Sequence, residues 1–150
     1  SANDANHISG PSRTGEGLYR SISLALKTAG ITAEEIGYIS AHGTGTFYND
    51  EMEAIAFHRS GLGRVAVNSL KAYYGHTLGA SALLESIITR QSLVNNEIYE
   101  SLNYDETGTS KPLNIVSKYM KKEMKYAMKT ASGFGGCNIA LIFEKTGYGV

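Results

Sequence analysis

The chain has 150 residues, of which 42% are apolar and 19% charged, which suits one globular domain with a real core and excludes a disordered chain. Its 14 basic and 14 acidic side chains cancel, so the charge balance points away from nucleic acid and other polyanions. A single cysteine, Cys137, excludes an internal disulfide and fits a reducing, cytoplasmic setting, and no apolar run approaches the ~20 residues that span a bilayer. The chain opens Ser1-Ala2-Asn3-Asp4 without an initiator methionine or a signal-peptide pattern, which reads as an interior start within a longer protein.

Residues 1–15 are polar and turn-forming and read as a surface loop. From Gly15 to Ala29, Leu18, Ile22, Ala25, Leu26 and Ala29 follow helical spacing, and Gly30 supplies the stop. Thr32 to Glu35 carries a capping box. Ile36 to Ala41 reads as a buried strand that delivers the turn Ala41-His42-Gly43-Thr44-Gly45-Thr46 at its carboxyl end. Asn49-Asp50 is expected to cap a helix running to about Phe57, with Met52, Ile55 and Ala56 inward. Val65 to Ser69 is a second strand, followed by Lys71 and, five residues later, His76. Thr77 to about Asn95 reads as one long helix with small residues at its start, as in a helix sandwiched between layers. Residues 96–112 read as irregular, and Tyr126 to Ser132 and Asn138 to Glu144 as two strands joined by Gly133-Phe134-Gly135-Gly136. Alternating strands and helices make an α/β domain, in which ligand groups belong at the carboxyl ends of strands, where His42, Lys71 and His76 fall.

A histidine beside glycine lets backbone and ligand approach closely, and two such imidazoles can aim two N–H donors at one oxygen, as an enolate requires. Either His42 or His76 can equally act as a general base, or merely cap its turn. Lys71 is either a solvated lysine or one that holds carboxylates and sets the charge of a nearby imidazole. Glu85 stands nine residues past His76 on an otherwise apolar helix, exposed or buried and paired; Asp50 and Glu53 lie three apart at a helix start, serving its dipole, an ion, or Lys71. Phe134 is a turn plug or an aromatic gate whose N–H helps to bind an oxyanion. Cys137 precedes a strand and lacks the helix N-terminus that would make it a reactive thiol. Lys118, Lys121, Lys122, Lys125 and Lys129 read as a solvated face, with contact to an acidic carrier as the sharper alternative. The four histidines and the cysteine lack zinc-type spacing, so no metal centre is expected.

Five motifs in order, Ala41-His42-Gly43-Thr44-Gly45-Thr46, Asn49-Asp50-Glu51-Met52-Glu53, Ser69-Leu70-Lys71 with Gly75-His76, Gly79-Ala80 with Glu85-Ser86, and Gly133 to Asn138, resemble the C-terminal half of β-ketoacyl-acyl carrier protein synthases. The resemblance implies the C-terminal half of an α/β, thiolase-like fold, a mixed sheet packed between helices, without the N-terminal half that carries the nucleophilic cysteine. It implies decarboxylative Claisen condensation of malonyl-acyl carrier protein with an acyl thioester, with the isolated chain inactive. It assigns His42 and His76 as the catalytic histidines and Lys71 as the motif lysine. Thr44 and Thr46 become contacts for the pantetheine arm, and Phe134 the gate. Asp50, Glu53 and Glu85 become a structural acidic cluster, in which some members hold a monovalent cation; no other cofactor is implied. The implied partners are an acyl carrier protein bearing a phosphopantetheine-linked malonyl or acyl group and a second subunit in a homo- or heterodimer. A non-catalytic accessory subunit, like a chain-length factor, is the competing reading, against which the retained histidines count.

Overall fold

The computed structural model describes residues 1–4 and 7–147; Ala5 and Asn6, expected in the opening loop, lie outside the described residues. The main sheet is built from β1 (Ala2–Asn3), β2 (Ile36–Ser40), β3 (Ala66–Asn68), a short β5 (Asn114–Ile115), β7 (Tyr126–Gly133) and β8 (Cys137–Glu144), in the order β1-β8-β7-β2-β3-β5. Strands β3 and β7 flank β2 and run parallel to it, with Tyr38 opposite both Ala66 and Ala127 and Ser40 opposite both Asn68 and Lys129. β8 returns antiparallel to β7, and β1 pairs antiparallel with β8. The mixed sheet of a thiolase-like half is therefore present, and the carboxyl ends of three parallel strands lie side by side.

Helices α1 (Glu16–Ala29) and α2 (Phe47–Arg59) cover one face of this sheet. Leu18 and Ile22 of α1 are fully buried against Ile36, Ile39, Met52, Phe57 and Met128, burial that contributes roughly 1.5–3 kcal/mol for each large side chain. Helix α1 ends as its sequence predicts, with Gly30 in the left-handed region at φ 67°. The Thr32 capping box opens a single 3-10 turn over Ala33–Glu35. Helix α4 (Ser81–Asn95) covers the opposite face, where Tyr38, Ala66, Leu93, Ile98 and Ala127 form a second cluster. β7 is thus covered on both sides, and Tyr126 through Thr130 are all buried.

Four expectations need correction. Helix α2 starts at Phe47, two residues before the expected Asn49-Asp50 cap, because Asn49 instead donates to Glu53 Oε2 at 3.0 Å from inside the first turn. Helix α4 starts at Ser81 rather than Thr77, because Leu78 adopts φ 50° and residues Leu78–Ala80 form a tighter turn. The opening segment is pinned as well as polar: Ala2–Asn3 joins the sheet, and the Asp4 carboxylate accepts the Gly17 N–H at 3.0 Å near the start of α1. Within 96–112, β4 (Glu97–Ile98) pairs with β6 (Met120–Lys121) in a separate ribbon, where Glu97 accepts the hydroxyls of Tyr99 and Tyr119, each at 2.9 Å.

Helix α4 turns the usual arrangement around. Its buried stripe is mostly polar, comprising Ser81, Glu85, Thr89 and Ser92 with Leu93, while Leu83 and Ile87 face outward at 67% and 59% exposure. A helix with polar groups buried on one side and apolar groups bared on the other fits the sandwiched position its small residues suggested.

Candidate active site

The parallel register sets three chain segments against one another. β2 ends at Ser40 and feeds the His42 turn; β3 ends at Asn68 and feeds the four-residue helix α3 (Lys71–Tyr74) and then His76; β7 brings Lys129 to the same level. The turns after β2 and β3 touch directly. Gly43 has φ 45°, and a Cβ there would lie 2.5 Å from Ser69 Cβ, so only glycine fits. Ser69 Oγ donates to the Gly43 carbonyl and ties the two turns together.

The imidazoles of His42 and His76 meet edge to face, with ring centroids 5.2 Å apart and planes at 83°. His42 is buried and His76 exposed. Lys71 Nζ lies 3.3 Å from His42 Nδ1. An ammonium has no lone pair to offer, so His42 Nδ1 accepts and the neutral ring carries its proton on Nε2. His76 Nδ1 accepts the Leu78 N–H at 3.1 Å, which places that ring's proton on Nε2 in the same way. Burial, then the charges of Lys71 and Lys129, push the His42 pKa down to about 3, so this imidazole is neutral at physiological pH.

Beneath the pair is a nest of buried charge. Glu85 is fully buried; its Oε1 lies 2.6 Å from Lys71 Nζ and its Oε2 2.6 Å from Lys129 Nζ. Lys129 Nζ also donates to the Ala41 carbonyl at 2.8 Å, and Lys71 Nζ to the His42 carbonyl. Glu53 holds the other side of the same turn. Its Oε1 accepts the His42 N–H at 2.8 Å and the Thr130 hydroxyl at 3.0 Å, and its Oε2 accepts the Gly43 N–H at 2.7 Å. Asp50 Oδ1 accepts the Thr44 N–H at 3.2 Å. Burial raises the carboxyl pKa of both Glu53 and Asp50 against these hydrogen bonds. The three acidic residues therefore divide: Glu53 and Asp50 shape the turn, and Glu85 pairs the lysines. Of the alternatives for Lys71, the structure gives the paired one, with Glu85 rather than Asp50 as its partner.

Lys129 is the residue the sequence reading misplaced. Sequence groups it with a solvated lysine face, yet it is 1% exposed, because its strand is covered on both sides. Burial lowers its pKa to about 8, against the pull of Glu85. The signal was there: Lys129 is the one charge within Tyr126-Ala127-Met128-Lys129-Thr130-Ala131, an otherwise uncharged strand. Of its former companions, Lys121 pairs with Glu97 and Lys125 with Glu144 at the surface.

The other site candidates lie at the rim. Thr44 and Thr46 share a hydrogen bond at 2.7 Å between their hydroxyls. A cavity of about 550 Å³ opens beside Thr44, Lys71 and His76, with Phe57, Val67 and Ile115 among its walls. Phe134 sits in a 3-10 turn whose Gly135 N–H donates to the Ile8 carbonyl at 2.7 Å. Its ring is 83% exposed, and among the described residues no ring contact joins it to the histidines. Cys137 is exposed at the first position of β8. No helix among the described residues is long and apolar enough to cross a membrane.

Comparison with known proteins places this arrangement. Residues 1–105 match the family described as beta-ketoacyl synthase, C-terminal domain. The 3-oxoacyl-[acyl-carrier-protein] synthase 2 of Vibrio cholerae is 38% identical over 148 residues, which cover 95% of this chain and 36% of that protein. Among solved structures, the ishigamide ketosynthase/chain length factor superposes with a TM-score of 0.91 at 33% identity, covering 97% of this chain and 36% of that one. A beta-ketoacyl synthase from Burkholderia phymatum gives 0.90 at 34% identity, covering 96% and 35%. The chain spans about a third of the length of these relatives.

Proposed function

Because the chain belongs to the beta-ketoacyl synthase family, as its C-terminal domain, we propose that it supplies the histidine half of a condensing site that joins an acyl thioester to a malonyl thioester with loss of carbon dioxide. The observation that carries this reading is the pair of imidazoles 5.2 Å apart, each with Nδ1 engaged as an acceptor and Nε2 left to face a ligand.

In this mechanism the malonyl carbonyl oxygen lies between the two Nε2–H groups. The bond to the carboxylate breaks, its electron pair enters the new carbon–carbon double bond, and carbon dioxide departs. The enolate oxygen takes up the negative charge against two donors fixed in advance, so little reorganisation is needed. The enolate carbon then attacks an acyl thioester and expels the thiolate that carried it. That thiol comes from outside these residues, since Cys137 is exposed at the first position of a strand and does not itself open a helix. The chain by itself is inactive in condensation. Thr44 and Thr46 line the approach of a pantetheine arm on an acyl carrier protein, and Phe134 closes over the acyl group. A second subunit and the rest of the protein cover His76, Phe134 and the apolar side of α4. Retention of both histidines and of Lys71 favours a catalytic chain over an accessory one.

The test is His42→Ala in the full-length protein, assayed for malonyl decarboxylation. Loss of one fixed donor lowers the rate on the order of 10²–10³. Full decarboxylation by that variant refutes the assignment.

A further inference from the structure

The monovalent cation that the resemblance implies in the acidic cluster does not fit the residues present. A hard cation needs a shell of oxygen donors. Both Glu85 oxygens face ammonium groups at 2.6 Å, and the Ala41 and His42 carbonyls each accept from one of the same two lysines. Both Glu53 oxygens accept backbone N–H groups. Among the described residues, no group of three His, Cys, Asp or Glu side chains stands ready to hold a metal ion. Charge points the same way. Around Glu85 two ammonium groups, Lys71 and Lys129, already face one carboxylate, and a further cation there would add to that local positive excess where Lys129 and Glu85 are 1% and 0% exposed.

We propose that the Lys129 ammonium is a built-in cation, which supplies covalently the positive charge that Glu85 and the Ala41 carbonyl need beside the histidines, so that this site takes no alkali-metal ion. The ammonium reaches the place from β7, where Lys129 lies opposite Ser40 of β2 on the same face of the sheet. Ser40 is fully buried there, beside Tyr38. Replacing Lys129 by serine would leave Glu85 Oε2, the Ala41 carbonyl and one new hydroxyl around a hole the size of the lost ammonium. Those are oxygen donors with one net negative charge, which is what an alkali ion requires. The inference concerns the cluster beneath the imidazoles and stands apart from the reaction proposed above.

The experiment is thermal unfolding of the full-length protein in potassium, sodium or N-methylglucamine chloride at one ionic strength. The wild type is expected to melt at the same temperature in all three salts. Lys129→Ser is expected to melt lower in N-methylglucamine, by on the order of 10 °C, and to regain most of that loss, saturably, in potassium or sodium. Lys118→Met, on the exposed surface, controls for a general salt effect. A saturable, ion-specific rise in the wild type overturns the proposal and needs no variant to be made. So does a Lys129→Ser protein that loses nothing without alkali ions, or one whose loss no alkali ion restores. If Lys129→Ser does not fold, rubidium-soaked wild-type crystals decide: anomalous density against Glu85 Oε2 refutes the proposal, and its absence there upholds it. Malonyl decarboxylation is measured in parallel, so a failure of the condensing reading leaves this readout intact.

Discussion

Glu85→Gln is nearly isosteric and removes one charge from the most buried point of the site, so its cost reads the electrostatics with little change in packing. Deleting one partner of a buried ion pair costs about 3–5 kcal/mol. Here one carboxylate serves two ammonium groups, each at 2.6 Å, so a loss near the top of that range, about 5 kcal/mol, is expected in urea unfolding at pH 6. The pH dependence supplies the sign. The native pKa of Lys129 is about 8, below its ordinary 10.5. Between those values the unfolded chain holds a proton that the native one has released, so stability rises with pH across that window. Removing Glu85 lowers the native value further, because Glu85 was holding it up. The destabilisation at pH 9.5 is therefore smaller than at pH 6, by about 1.4 kcal/mol for each unit by which Lys129 drops. A loss under about 1 kcal/mol would sink the reasoning, given the burial cost of unpaired charge. So would a loss equal at both pH values.

Two further outcomes are expected. Gly43→Ala must carry a side chain at φ 45° and displace Ser69; the backbone share costs about 1–2 kcal/mol, and adding Ser69→Gly relieves only the contact share, so a neutral single substitution in urea unfolding contradicts the close approach. His42 is held at about 3 by burial and the nearby lysines, against an ordinary 6.5. The unfolded chain therefore takes up that proton first, and stability falls as pH drops from 6.5 towards 3. Nitrogen-15 spectra should show a neutral ring protonated on Nε2 at pH 5, and an imidazolium at that pH refutes it.

Much of this site was legible from residue order. The two glycine-flanked histidines fell at strand ends because strand–helix alternation fixes where turns lie, and Glu85 stood out as a charge on an apolar helix. Legibility ended where tertiary cover decides. Lys129 shares its segment with surface lysines, and only the pairing of β7 between β2 and β8, beneath α4, buries it. The starts of α2 and α4 slipped because Asn49 found Glu53 as a partner and Leu78 adopted a left-handed backbone. Helix α4 defeats the assumption that apolar residues face inward, since its inner stripe is mostly polar and carries the Glu85 that pairs both lysines.

The turn around His42 owes its shape to side chains rather than to a ladder or a helix. Ammonium groups grip the carbonyls of Ala41 and His42, and Glu53 grips the amides of His42 and Gly43. Four successive main-chain groups are moored from below, while Gly45 and Thr46 stand in the open. Scaffold and decoration are thereby uncoupled: a change of side chain at Thr46, on the outer lip, leaves all four moorings untouched, and the imidazole keeps its bearing.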